Sequence, residues 1–133
     1  MAYIRGFGLK QGALASSVAH DSHNIVATGT DDKAIAEAIN LVVKEKGGLS
    51  AVSKGKKMVL PLPIAGLMSA KDGYQVAEDY IKIDRFAREV LECRLRSPFM
   101  SLSFMALLVI PSLKLSDKGL FDGDKFEFTE VAF

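Results

Sequence analysis

From Asp72 to Leu95 the apolar residues Val76, Tyr80, Ile83, Ala87 and Val90 recur at steps of three or four, so one stripe of a long helix must turn away from water. A stripe of this kind is stable only against another apolar layer, which the rest of the chain has to supply. Glu78/Lys82 and Glu92/Arg96 stand four apart, the spacing at which opposite charges pair on the solvent side. A second stripe, Ile35, Ile39 and Val42, lies in a helix predicted from Asp31 to Lys46, opened by Thr30-Asp31-Asp32 and stopped by Gly47-Gly48.

Between and around these helices the sequence reads as short strands and turns. Strands are expected near 3–9, 12–20 and 24–28, with turn formers Asp21, Ser22 and Asn24 among them. Leu49–Val52 and Met58–Leu60, linked by Ser53-Lys54-Gly55-Lys56-Lys57, predict a hairpin. Pro61-Leu62-Pro63 ends regular pairing, because proline cannot donate to a ladder, and an extended loop through Ile64-Ala65-Gly66-Leu67-Met68 follows. At Ser97-Pro98 a helix could begin, but Met100, Leu102 and Phe104 alternate with Ser101 and Ser103, and a strand is the reading adopted. Leu107–Ile110 reads as buried, Asp117-Lys118-Gly119 as a turn, and Phe126–Val131 as an alternating run that finishes a sheet edge. Hairpins around helices, without regular βαβ units, predict an α+β fold: a largely antiparallel or mixed β-sheet packed with two main amphipathic helices. With 133 residues and no linker or repeat, one domain is expected over residues 1–133.

Charge and composition exclude several classes. Seventeen basic and sixteen acidic residues are interspersed, leaving no basic run to neutralise phosphates, so nucleic acid is not an expected partner. The longest uncharged stretch, Ser97 to Leu113, is broken by serines and a proline and is shorter than the roughly 20 apolar residues of a membrane span. No membrane role is expected, and the location should be cytoplasmic. Cys93 is the sole cysteine, so an internal disulfide cannot form, and its neighbours place it on the long helix. Met58, Met68, Met100 and Met105, with Phe99, Phe104, Phe121, Phe126 and Phe128, are expected in the core.

The chain holds one polar cluster with chemical potential, His20-Asp21-Ser22-His23-Asn24, which gathers ligand and proton-transfer side chains in five successive positions. On a straight strand His20 and His23 would face opposite ways, so a common site needs a bend, which Asp21-Ser22 can supply. The plainer reading is a polar turn whose side chains cap loose backbone groups. His20 and His23 are also the candidate metal ligands, although the cluster offers only about three good donors where a catalytic zinc site usually takes three plus water. Ser16 and Ser17 lie close by, but no Gly-x-Ser-x-Gly elbow surrounds them. Gly6, Gly8 and Gly12 miss the nucleotide-loop spacing by one residue and read as a glycine-bearing strand turn.

Longer blocks carry a family likeness. Arg5-Gly6-Phe7-Gly8-Leu9-Lys10, the run from Gly12 to Asn24, Gly29-Thr30-Asp31-Asp32, the stretch from Leu60 to Ser69, Pro98 to Phe104, and Leu113 to Asp122 occur in an order that resembles the C-terminal domain of microbial adenine deaminases. The resemblance covers nearly the whole chain. It implies a parent hydrolase of purine salvage, of the amidohydrolase type, in which a divalent metal pair, manganese or iron, activates water to attack C6 of adenine and release hypoxanthine and ammonia. In that family the metals sit in a barrel that contributes a His-x-His pair, further histidines and acidic residues, whereas His20 and His23 are the two histidines here. Such a barrel also takes about 200 residues or more. The resemblance therefore implies no cofactor in this chain, an inert fragment when isolated, and as partners the parent's N-terminal barrel, its substrate adenine, and further copies in a homo-oligomer. It raises the weight of His20, Asp21, Ser22, His23 and Asn24 as groups offered to the substrate or to the metal ligands at a barrel mouth. The rival is a stand-alone binding module without catalysis, from a truncated gene; an in-frame barrel upstream would decide between them.

Overall fold

Alternation along the strands sorts their side chains between two helical layers. In the computed structural model, which describes residues 1–130, β1 (Ala13–Ser16), β2 (Val26–Gly29), β3 (Gly48–Ser53) and β4 (Lys56–Pro61) form a sheet in the order β2-β1-β3-β4, antiparallel throughout. Helix α1 (Asp32–Lys44) covers one face, where Ala13, Ala15 and Val52 meet Ala38 and Val42. The strand side chains there are mostly small, so helix and sheet come close enough for Ser50 Oγ to donate to the Ala38 carbonyl at 2.7 Å. Helices α2 (Gly73–Glu89) and α3 (Pro98–Phe104) share the other face, where Leu14, Leu49, Ala51 and Leu60 meet Ile83, Ala87, Phe99 and Leu102. Each large side chain buried there contributes about 1.5–3 kcal/mol of transfer free energy. A second antiparallel sheet, β5 (Leu113–Ser116), β6 (Gly119–Asp122) and β7 (Glu127–Thr129), follows α3.

The α+β class, both long helical stripes, the 49–60 hairpin and the antiparallel sheet agree with the sequence reading. Asp31 caps α1 by accepting from the Ala34 N–H at 2.9 Å, and Asp72 caps α2. Gly12, just before β1, has φ +74°, where a Cβ would lie 1.9 Å from the Val52 carbonyl oxygen, so no other residue fits.

Several expectations are corrected. Residues 3–9 form no strand: glycines at positive φ break the run, and the segment instead lies along 91–94, with Lys10 N–H donating to Leu91 and Arg94 N–H to Phe7. The strand expected over 12–20 stops at Ser16, whose Oγ accepts from Val18 N–H and turns the chain. Helix α2 ends at Glu89 rather than Leu95, because Leu91 and Cys93 are drawn into the core and Glu92 adopts φ +56°. Glu92 and Arg96 therefore share no helix, and Lys82 pairs with Asp79 instead of Glu78. Cys93, off the helix, donates its thiol to the Phe7 carbonyl at 3.2 Å.

The segment 98–104 is a helix, not a strand. Pro98 sits in its first turn, and Phe99, Leu102 and Ser103 are buried at steps of three and one, a helical stripe that the alternating serines concealed. The run Leu107–Ile110 is no core either, since Val109 is 62% exposed. Met68, Met100, Phe104, Phe126 and Phe128 are likewise exposed. β7 does finish a sheet edge, though of the second sheet; Val131, expected in the same run, lies outside the described residues.

Candidate functional site

The polar cluster sits where β1 runs out and β2 begins. The chain turns at His20–Ser22, and His23, at φ +53°, closes the turn by donating its N–H to the Ala19 carbonyl at 2.7 Å. The bend that a common site requires is thus present: the His20 and His23 rings lie with centroids 6.0 Å apart and planes at 70°. Two neighbours fix His20. Its backbone N–H donates to the Ser103 carbonyl at 3.1 Å, and its ring lies 5.0 Å from that of Phe104. His20 is partly exposed, while Asp21, Ser22, His23 and Asn24 are exposed, all five at one end of the sheet.

A second loop reaches the same end. Ser17, three residues before His20, is buried; its Oγ accepts from Gly48 N–H at 2.8 Å and donates to the Gly66 carbonyl. The loop it holds is closed on itself by paired bonds between Ile64 and Met68, whose side chains face solvent. Close backbone packing at Gly47, where a Cβ would lie 2.3 Å from Gly66 Cα, sets the loop's position. Ser16 and Ser17 are therefore structural hydroxyls: Ser16 Oγ accepts from Val18 N–H at 2.9 Å.

Chemically, the cluster offers two imidazoles, a carboxylate, a hydroxyl and an amide to whatever lies against it. Among the described residues no group of three or more His, Cys, Asp or Glu side chains is placed to share an ion. The divalent metal pair implied by the family likeness does not fit these side chains, since two imidazoles set edge to face and one turn carboxylate are too few donors. A groove of about 490 Å³ lies at the opposite end of the sheet, lined by Lys10, Thr30, Asp31, Lys33, Lys54 and neighbours, with Asp31 already committed to capping α1. No residue of the cluster lines it.

Sequence reasoning missed Ser103, Phe104 and Ser17 as the residues that hold the cluster and its neighbouring loop. The signal for the first two was the helical spacing of Phe99 and Leu102, which places Ser103 on the buried side. No helix among the described residues is long and apolar enough to cross a membrane.

Comparison with known proteins agrees with this arrangement of blocks. Residues 1–127 match the family described as the adenine deaminase C-terminal domain. The chain is 60% identical over 130 residues to an adenine deaminase of Sulfurovum sp. (strain NBC37-1), 57% identical over 130 residues to one of Salinibacter ruber, and 55% identical over 129 residues to one of Methanosarcina acetivorans. These matches take in 97–98% of this chain but 23–24% of each relative. The chain thus spans about a quarter of the length of the curated relatives it matches, and it belongs to the adenine deaminase C-terminal domain family.

Proposed function

We propose that this chain, acting as one domain, is the accessory quarter of a cytoplasmic adenine deaminase of purine salvage, and that the remainder of the enzyme, with its manganese or iron pair, hydrolyses adenine to hypoxanthine and ammonia. The observation that carries the reading is the asymmetry of the matches: nearly all of this chain aligns with about a quarter of each relative, while its own polar cluster holds only two imidazoles. Chemistry that needs several metal ligands then belongs to the other three quarters. His20, Asp21, Ser22, His23 and Asn24 are the groups this quarter offers to the adjoining site. His20, its backbone pinned by Ser103 and its ring against Phe104, is pre-set in orientation. His23 and Asn24, both exposed, can accept or donate a hydrogen bond to a purine edge or to a loop bearing the ligands. The assembled enzyme is a homo-oligomer.

The test is a joined protein in which this chain replaces the matching quarter of the Sulfurovum enzyme. The reading expects adenine turnover, with His20→Ala and His23→Ala each lowering kcat/KM by about tenfold or more while metal content stays unchanged. Wild-type kinetics and metal content in both variants would make the cluster a structural turn. A joined protein that binds its metals but never deaminates adenine would contradict the reading itself.

A further inference from the structure

The second sheet stands apart from the α/β/α layers, and its surface does not balance. Register places Lys114, Phe121 and Phe128 on one face and Leu115 with Leu120 on the other, so both faces carry apolar side chains. Phe121 is buried by Phe126 and Phe128, at ring distances of 5.3 and 5.2 Å, but Phe128 is itself half exposed, as are Leu113 on β5 and Met100 on α3. A small sheet with apolar residues on both faces requires a further layer. The sheet is joined to the histidine turn: Leu115 N–H donates to the Met105 carbonyl at the end of α3, and Phe104, one residue earlier, is the exposed ring lying against His20. Val43, also exposed and apolar, lies on α1, which covers the opposite face of the sheet from α3.

We infer that Met100, Phe104, Leu113 and Leu115 form the surface on which the preceding three quarters of the enzyme dock, placing the His20–Asn24 turn at the rim of that interface. The inference rests on the functional reading above and names its contact face. Its occupant follows from length: the curated relatives extend for about three quarters of their chains beyond the matched part. A covalently joined body faces this surface at an effective concentration of about millimolar, well above that of a free second copy in dilute solution. The mixture of apolar side chains with two imidazoles and a carboxylate suits an interface between domains of one chain, which is more polar than an obligate subunit interface.

Single cysteines at Phe104→Cys, Leu115→Cys and, as a control, Val43→Cys, labelled with a maleimide, test the surface, since native Cys93 is buried. Rates are compared in the 133-residue chain and in the joined Sulfurovum protein, with the unsubstituted proteins as baselines. The expected result is that positions 104 and 115 react about tenfold more slowly in the joined protein, while position 43 is unchanged. Equal rates in both contexts would overturn the assignment, as would protection that grows with concentration in the isolated chain, which marks a second copy as the occupant. Hydrogen exchange of the unsubstituted proteins over residues 98–116 gives the same comparison without substitutions. Protection in a joined protein that does not deaminate adenine would uphold this surface and contradict the functional reading; turnover without protection would do the reverse.

Discussion

Ser17→Ala isolates the contact that ties the Leu62–Met68 loop to the sheet end bearing the histidine turn. The hydroxyl accepts from Gly48 N–H at 2.8 Å and donates to the Gly66 carbonyl. Gly48 is buried, and its N–H points toward β1, where alanine offers no acceptor in place of Oγ. A buried N–H left unpaired costs about 1–3 kcal/mol, whereas the Gly66 carbonyl is partly exposed and finds water, so the substitution should cost about 2 kcal/mol. For a chain of 133 residues that lowers Tm by roughly 6–10 °C. Thermal unfolding followed by circular dichroism reads the first quantity, and hydrogen exchange at the Leu67 and Met68 amides should quicken by about tenfold as the loop comes free. Ser69→Ala, which removes an exposed bond to Lys71 N–H, serves as control and should change stability by less than about 0.5 kcal/mol. If Ser17→Ala unfolds at the control's temperature with unaltered loop exchange, the loop is held by something other than this hydroxyl.

Further outcomes follow from the same structure. Gly12→Ala drives a Cβ into the Val52 carbonyl at positive φ and should cost more than about 3 kcal/mol, read as loss of soluble folded protein or a collapse of Tm. Leu14→Ala empties a fully buried site between β1 and the α2/α3 layer and should cost about 2–5 kcal/mol by denaturant unfolding. Burial first, and then the Asp84 carboxylate, raise the Tyr80 hydroxyl above its usual 10.0; burial also raises the Cys93 thiol above 9.0, against a smaller opposing bond at Leu95. Both folded values are raised, so the unfolded chain ionises first: stability is full below pH 9 and falls as pH rises beyond it. Unfolding titrations from pH 8 to 11 should show that decline, with a shallower early slope in Cys93→Ala. His23→Asn, which suits the left-handed backbone, should leave the isolated chain within about 0.5 kcal/mol of wild type.

The sequence made the main layers legible because their signals are periodic and local. The stripes of α1 and α2, with Asp31 and Asp72 ahead of them, and the polar link between β3 and β4 each lie within a single element. The errors arose where tertiary contacts override a short pattern. Serines at 101 and 103 imitate a strand until Phe99 and Leu102 find the core, and α2 gives up its last turn because Leu91 and Cys93 bury better outside it. Phe104, Phe126 and Phe128 were expected inside on hydrophobicity alone, which cannot tell a core from a face awaiting another domain. The His20–Asn24 turn was visible in the sequence, including its necessary bend. Its supports were not, since Ser103, Phe104 and Gly48 are distant in the chain and only the fold brings them to one end of the sheet.

Most direct for the division of labour is a metal and turnover analysis of the purified 133-residue chain, supplied with manganese or iron and then with adenine. No stoichiometric tight metal and no hypoxanthine above the uncatalysed background are expected. Two retained ions per chain together with metal-dependent ammonia release would contradict this, because the chemistry would then reside in this quarter and not in the rest of the enzyme.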